Sequence, residues 1–413
     1  MKLKAVVLKN FRCYHKETHI PIGDFTALIG KNDIGKSTIL EALEIFFNEG
    51  IIKCEKLDAC VHGDNQDVRI GCIFSELPDK ITIDVRSETT LRGEYLLNED
   101  GDLEIHKIYN CDASRIKGNF IAVSNHPSVV GWNDLLLLKN SELKQRLRDR
   151  GINNEGIDLR SNPPIRKALW ENVAALQLQR QEIPLDKEDA RKIWDSLKSQ
   201  MPTFALFQAD RKSVDADSEV QDPMKLAVAE AIKAVQDSLN EIKRAVQDQA
   251  SEVARRTLEK LKEMDPELAR ELQPHFKDEP KWERIFTLSL TSDHQIPINK
   301  RGSGVRRLIL LSFFRAEAER KHKMANSPGV IYAIEEPETS QHPNNQKLIF
   351  DALSELADKE NCQIIVTTHV PGLAGLLPVE NLRYVDKDED LKPCIRTGEG
   401  IYARIAKDLG VLP

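Results

Sequence analysis

Apolar positions along the chain follow two rhythms, one of strands and one of helices. Leu3, Ala5, Val7 and Leu8 form a short β-like run, and Phe25-Thr26-Ala27-Leu28-Ile29 forms a second that stops at Gly30. From Lys36 to Asn48 the spacing becomes helical, with Ile39, Leu43 and Phe46–Phe47 apolar. Val68–Phe74, Ile81–Val85 and Phe120–Val123 predict further strands, while residues 132–200 read as mainly helical with a break near Gly151–Pro164.

The stretch Asp222–Met264 has a different character. Asp222-Pro223 suits a helix start with proline in the first turn. Ile232, Val235, Leu239, Ile242, Val246 and Val253 then recur at three–four spacing with charges between them, and Asp265-Pro266 closes the run. About forty residues at 1.5 Å each make a rod of about 60 Å. Such a rod packs on the body of the protein or stands as an arm for dimerisation or for holding a partner.

Beyond Pro280, Phe286–Leu290, Val330–Ile334 and Gln363–Thr367 predict strands and Val305–Lys321 a helix. Strands alternating with helices predict an α/β fold with a mostly parallel, doubly wound sheet. The sheet is split in sequence: residues 1–180 and 281–413 flank a helical insertion over 181–280.

Composition narrows the picture. The 413 residues carry a net charge of -7, so any nucleic-acid contact needs a local basic patch. Lys300, Arg301, Arg306, Arg307, Arg315, Arg320, Lys321 and Lys323 offer one, although an ordinary solvated helix carries the same charges. None of the seven cysteines forms a C-x-x-C pair, which argues against a zinc site. No secretory signal opens the chain and no apolar run reaches the ~20 residues that span a bilayer. The expectation is a cytoplasmic protein with reduced thiols and no membrane contact.

Gly30-Lys31-Asn32-Asp33-Ile34-Gly35-Lys36-Ser37-Thr38 matches G-x-x-x-x-G-K-[ST] between an apolar strand and a helix. The two glycines let the backbone curl so that N–H groups face phosphates, and the helix N-terminus adds its positive dipole end. Lys36 would reach the β- and γ-phosphates and the Ser37 hydroxyl a Mg²⁺ ion. The strand Val330–Ile334 runs into Glu335-Glu336-Pro337-Glu338. Ligands of α/β sheets bind at the carboxyl ends of strands. There Glu335 would hold Mg²⁺ through water, and Glu336 would orient and deprotonate the attacking water. His369, at the end of the next apolar strand, would contact the γ-phosphate and sense its loss. Lys300-Arg301-Gly302-Ser303-Gly304-Val305 precedes the expected helix, where Ser303 would cap it and exposed N–H groups would form an anion site, although a plain helix cap uses the same residues.

Together these residues resemble ABC-type ATPases of the SMC, RecF and OLD class. Leu8-Lys9-Asn10-Phe11-Arg12 looks like that class's opening, in which the arginine lies near the nucleotide, and Asn32 fits its Walker A form. Arg301-Gly302-Ser303-Gly304 looks like its signature, which contacts the γ-phosphate of the opposite subunit. Glu335-Glu336-Pro337-Glu338 followed by His342-Pro343 is similar to the E-E-P-E-x-x-x-H-P pattern of OLD and Gabija-type antiphage proteins, and Ala209-Asp210-Arg211 is also similar to that class.

The resemblance implies an ABC-type head that binds ATP and Mg²⁺, with Arg12, Gly30, Asn32, Gly35, Lys36, Ser37, Thr38 and Arg301–Gly304 around the nucleotide. It also implies a homodimer or higher oligomer formed through heads and helical insertion, and control of a nuclease or other effector in defence. A RecF-like, ATP-gated DNA-binding protein and a scaffold that stores an effector are the alternatives; a transporter ATPase fits poorly. Ser340-Gln341 stands where many relatives carry histidine–leucine, and no segment identifies the Q-loop. OLD proteins continue into a Toprim nuclease module with clustered carboxylates. No such cluster follows here, Asp386–Asp390 reading as a charged loop, so the nuclease is expected on a separate chain or on a further C-terminal module.

The signature-like loop yields a test of assembly. Ser303→Arg should bind nucleotide yet not hydrolyse it, and mixing it with equally inactive Lys36→Ala protein should restore activity, because each mixed dimer keeps one intact composite site. Mixed dimers that form and stay inactive would rule out a role for Ser303 in trans.

Overall fold

In a computed structural model of the chain, the described residues are 1–48, 52–84, 87–173, 176–208, 234–266, 282–286, 329–339, 343–358 and 361–410, with single positions at 228, 231, 232, 312 and 316. They divide into two compact units, Met1–Lys212 with Arg307–Pro413, and Ser213–Arg306.

The described residues of the first unit form two six-stranded sheets and one two-stranded sheet, Ile81–Asp84 with Ser87–Thr89. The strands are β1 (Lys2–Lys9), β2 (Thr18–Pro21), β3 (Phe25–Ile29), β4 (Val68–Ser75), β5 (Ile81–Asp84), β6 (Ser87–Thr89), β7 (Leu103–Tyr109), β8 (Gly118–Pro127), β9 (Leu178–Pro184), β10 (Thr203–Gln208), β11 (Val330–Glu335), β12 (Cys362–Thr368), β13 (Leu382–Lys387) and β14 (Pro393–Arg396). One sheet has the order β10-β11-β12-β3-β13-β14. Its first five strands are parallel and β14 turns back antiparallel on β13. This is the expected parallel sheet, assembled from both ends of the chain, and β3 at its centre is buried throughout.

The other six-stranded sheet, β2-β1-β4-β7-β8-β9, is antiparallel at every pairing and was not foreseen. Only residues 110–117 separate β7 from β8. A parallel crossover needs a dozen or more residues, so this connection can only return antiparallel. Its edge strand β9 lies in the stretch read as mainly helical, where α2 (Asn140–Asp149), α3 (Asn162–Glu171) and α4 (Glu188–Lys198) do form. The sequence of β9, LQRQEIP, is mostly polar, and Ile183 is its one buried residue. An exposed edge strand carries no apolar alternation to read.

The expected domain boundaries move. β10 lies inside the range assigned to the helical insertion, yet it pairs in parallel with β11 in the head sheet. The compact units change over at Lys212 and Arg307 instead of at 180 and 281.

In the second unit a helix, α5, runs from Gln236 to Met264. Leu239 is buried on it, while Ile242, Val246 and Val253 are exposed, and Glu252 pairs with Arg255 at 2.9 Å and Arg256 at 2.7 Å. The expected start at Asp222-Pro223 lies outside the described residues. Trp282–Ile285 forms a short helix, α6, and Phe286 a bend after it, so the strand expected at Phe286–Leu290 does not begin there; its remaining residues are not described. Residues 312 and 316 are helical, and the rest of the expected helix Val305–Lys321 lies outside the described residues, as does the whole of the basic patch. Among the described residues no helix is long and apolar enough to cross a membrane.

The helix after β3, α1 (Lys36–Phe47), joins the two sheets. At its C-terminal end Phe46 meets Phe74 of β4 and Phe120 of β8 at ring distances of 6.4 and 5.8 Å. Phe47 stacks on Phe204 of β10 at 5.5 Å. Lys107 of β7 is fully buried beneath it and donates from Nζ to the Ile45 carbonyl at 2.9 Å. A cation at a helix C-terminus meets the negative end of its dipole and one of its unpaired carbonyls. At the other end, the turn into α1 leaves no room beside Gly30: a Cβ there would lie 2.5 Å from the Val385 carbonyl oxygen of β13.

A second buried anchor holds α3 and α4. The Arg166 guanidinium has no exposed surface and binds Glu94 twice, at 2.8 and 2.7 Å, and Asp189 of α4 at 2.5 Å. Burial pushes the Asp189 carboxyl up, but Arg166 outweighs it and leaves its pKa below the ordinary value.

Two outcomes follow for stability. Arg166→Ala strands two buried carboxylates and should cost about 3–5 kcal/mol, read as a lower urea midpoint. Lys192→Ala, which removes a half-exposed contact to the same Asp189, should cost under about 1 kcal/mol; equal losses would show that burial is not what makes the Arg166 network matter. Because Asp189 has a depressed pKa, its contribution is present above the ordinary carboxylate range and is lost as pH falls through the depressed value. Gly30→Ala must push the loop off β13 and should lower stability by about 1–3 kcal/mol, together with nucleotide affinity. A variant with wild-type melting and binding would show that the close approach is slack.

Candidate nucleotide site

The carboxyl ends of the parallel strands bring the predicted residues together. β3 ends in the loop Gly30–Gly35, and Gly35 takes a left-handed φ of +108°, where a side chain would be strained and its Cβ would lie 2.7 Å from the Cys13 sulfur. Asp33 is also left-handed, at φ 59°. The Tyr14 hydroxyl donates to the Gly35 carbonyl at 3.1 Å and ties the loop to the segment after β1.

Lys36, at the first turn of α1, is 5% exposed. Its Nζ donates to the carbonyls of Gly30 and Lys31, both at 2.8 Å. Burial pushes its pKa below the ordinary value, against the pull of Glu336, Glu338, Glu335 and Asp33. The ammonium thus sits in a loop whose backbone it holds, facing more negative charge than it can balance. The Ser37 hydroxyl donates to a carboxylate oxygen of Glu335 at the end of β11. Lys36, Ser37 and Thr38, with Asn32, Asp33 and Gly35, wall one side of a cleft of about 450 Å³; Arg12, Cys13 and Glu336 close it.

The end of β12 clasps the end of β11. Glu335 and Thr367 are register partners. The next residue, Glu336, leaves the strand at a left-handed φ of 43°, which non-glycine residues rarely adopt. Its N–H donates to the Thr367 carbonyl at 3.1 Å, and its Oε1 lies 3.0 Å from Nδ1 of His369. The Thr368 hydroxyl donates to the buried Glu338 at 2.5 Å.

Arg12 reaches the cleft from the antiparallel sheet. It is fixed between Glu41 of α1 at 2.6 Å and Asp58 at 2.8 Å. Burial pulls its pKa down, and the two carboxylates outweigh that and raise it.

The structure therefore gathers Arg12, Gly30, Asn32, Gly35, Lys36, Ser37, Thr38, Glu335, Glu336 and His369. Arg301, Gly302, Ser303 and Gly304 lie outside the described residues, as do Ala209–Arg211 and Ser340–His342. The sequence reading missed Glu41 and Asp58, whose roles depend on tertiary contact with Arg12, and Cys13, which was legible only as Arg12's neighbour. Gln208, at the end of the apolar run Phe204–Phe207 of β10, is the register partner of Glu335.

The residues fit a phosphate-bound Mg²⁺ ion. Among the described residues no three His, Cys, Asp or Glu side chains converge on a metal position. Mg²⁺ in such sites needs only one or two protein oxygens beside substrate phosphates and water, and the touching Ser37 and Glu335 side chains supply them. A larger cavity of about 600 Å³ opens at the opposite, amino ends of the parallel strands. Its Lys2 is paired with Asp24 at 2.6 Å, and its Gln363 amide is spent on the backbone of Leu3 and Gly23. Both side chains are already engaged within the protein.

Known proteins bear on this geometry. The OLD nuclease of Thermus scotoductus is 24% identical over 394 residues, covering 94% of this chain; the chain spans 62% of that protein's length. A solved structure of the Smc head bound to the C-winged helix domain of ScpA aligns over 98% of this chain and all of that one, with a TM-score of 0.47 and 14% identity. The Smc head domain with a coiled coil and joint from Pyrococcus yayanosii aligns over 99% of both chains, with a TM-score of 0.43 and 14% identity. The model of one family, the AAA ATPase domain, matches residues 1–374. With that match over a strand–loop–helix unit on a parallel sheet, the chain belongs to the AAA ATPase domain family and has its α/β P-loop fold.

Proposed function

We propose that the chain binds ATP with Mg²⁺ in the cleft at the Gly30–Ser37 loop and hydrolyses it. The observation that carries this reading is the buried Lys36 ammonium, held by two carbonyls of its own loop beside three glutamates. The phosphates of ATP would take over those hydrogen bonds and the loop N–H groups. Ser37 and Glu335 would hold Mg²⁺, which neutralises phosphate oxygens when bound. Glu336 accepts the proton of the attacking water, and His369 orients the Glu336 carboxylate through the contact at 3.0 Å. Arg12 lies within reach of the phosphates, and Gln208, beside Glu335 in register, is the residue we assign to the Q-loop.

We further propose that heads pair around nucleotide, with Arg301–Gly304 of one copy completing the site of the other, and that the helical unit adds to the assembly. Hydrolysis would then control a DNA-targeting nuclease or another effector in antiphage defence, in the cytoplasm. The likeness to an OLD nuclease supports this role, with the nuclease on a further module or a separate chain.

The two adjacent glutamates separate experimentally. Glu336→Gln should bind ATP and Mg²⁺ but turn over about 10²–10⁴-fold more slowly, because an amide cannot accept the proton. Glu335→Gln should lose Mg²⁺-dependent affinity as well as turnover. Nucleotide affinity with and without Mg²⁺, beside single-turnover hydrolysis, distinguishes them; normal turnover in Glu336→Gln with normal binding and no turnover in Glu335→Gln would reverse the roles. Lys36→Ala should lose ATP binding or hydrolysis, and wild-type turnover in that variant would place the site elsewhere.

A further inference from the structure

The third glutamate of the Glu335–Glu338 segment does something the first two cannot. Glu338 is 2% exposed and lies in the turn that begins at Glu336, where the Thr339 N–H donates to the Glu336 carbonyl at 3.1 Å. Its Oε1 accepts the Thr368 hydroxyl at 2.5 Å. Among the described residues its Oε2 is buried without a hydrogen-bond partner. The Thr368 hydroxyl also accepts the Val370 N–H at 3.0 Å. An N–H can only donate, so the hydroxyl proton is committed to Glu338 and the direction of this chain of bonds is set. The Glu338 carbonyl accepts the Gln346 side chain of the helix Pro343–Ala357 at 3.3 Å.

The bend that this bond spans is strained, since Glu336 sits at φ 43°. A non-glycine residue holds such a conformation only where its surroundings over-determine it. The backbone bond to Thr367, the Thr339 hydroxyl at 3.2 Å and the half-exposed contact to His369 restrain Glu336 itself, while Glu338–Thr368 ties the bend to β12 through two side chains that are both buried. A carboxyl with one orphaned buried oxygen is an expensive staple, because its desolvation is unrequited. Burial, and after it the charge of Glu336, push its pKa above the ordinary value.

We propose that Glu338 is a positioning residue for hydrolysis: through Thr368 it locks the ends of β11 and β12 together, and so sets Glu336 against His369 at the distance the reaction needs. This rests on the ATPase reading and deepens it.

The test measures steady-state hydrolysis, affinity for a fluorescent ATP analogue and melting temperature for Thr368→Val, Thr368→Ser, Glu338→Ala, Glu338→Gln and the double variant Glu338→Ala/Thr368→Val. Removing the hydroxyl in Thr368→Val should lower kcat about 10–100-fold, as loss of an outer partner does at comparable sites, while affinity changes less than about twofold. Thr368→Ser should restore most of kcat. Glu338→Gln, whose amide oxygen still accepts, should lose less than Glu338→Ala. The double variant should be no slower than its slower parent, since both changes break one link. Full kcat in Thr368→Val overturns the inference, and so does a parallel fall of kcat, affinity and melting temperature in every variant, including the mild Thr368→Ser and Glu338→Gln. Wild-type protein that binds but never hydrolyses ATP overturns the ATPase reading itself; active wild type with unimpaired variants overturns only the role of Glu338.

Discussion

Everything at the site depends on how α1 is held. Its first turn carries Lys36 and Ser37, and its last turn is wedged between two sheets that share no strand. Phe46 reaches the antiparallel sheet, Phe47 packs on Phe74 of that sheet and on Phe204 of the parallel one, and Lys107 closes the helix end from below. Aromatic pairs at these distances add about 0.5–1.5 kcal/mol each beyond their buried area. A helix fixed at its C-terminal end and crowded against β13 at Gly30 cannot slide along its axis. The phosphate loop therefore has one geometry, set by packing on the far side of the helix.

The second constraint is electrostatic. Three carboxyl groups, Glu335, Glu336 and Glu338, lie at the end of one strand around a single buried ammonium. The protein divides them by environment. Glu335 touches a hydroxyl, Glu336 a half-exposed imidazole, and Glu338 is driven into the interior, where burial favours its neutral form. Adjacent acids in one segment thus acquire different chemistry. The remaining negative charge faces the cleft, where a cation bound with phosphates would balance it.

The antiparallel sheet contributes at a distance. It delivers Arg12 to the rim of the cleft and clamps it with Glu41 of α1 and Asp58. An arginine held by two carboxylates is oriented in advance and surrenders little freedom when an anion arrives. The same sheet carries Phe74, Phe120 and Lys107, so one element both anchors the phosphate-loop helix and supplies a charge beside it.

The sequence by itself determined the local parts. The run Phe25–Ile29, the glycine spacing of Gly30 and Gly35, the helix from Lys36 and the acidic end of Val330–Glu335 are each short-range patterns, and each formed where periodicity placed it. Backbone sterics and side-chain period act over a few residues, and that makes them legible in a string. Tertiary structure decided what those parts touch. β9 is polar because it is an edge, and β10 belongs to the head sheet because β11, more than a hundred residues later, supplies its partner. The clamps on Arg12, the place of Gln208 and the division of labour among the three glutamates depend on pairings between β11 and β12 and between the sheets. Hydrogen bonds and desolvation act through space, so only the folded chain could choose which of several similar side chains became buried, paired or free to react.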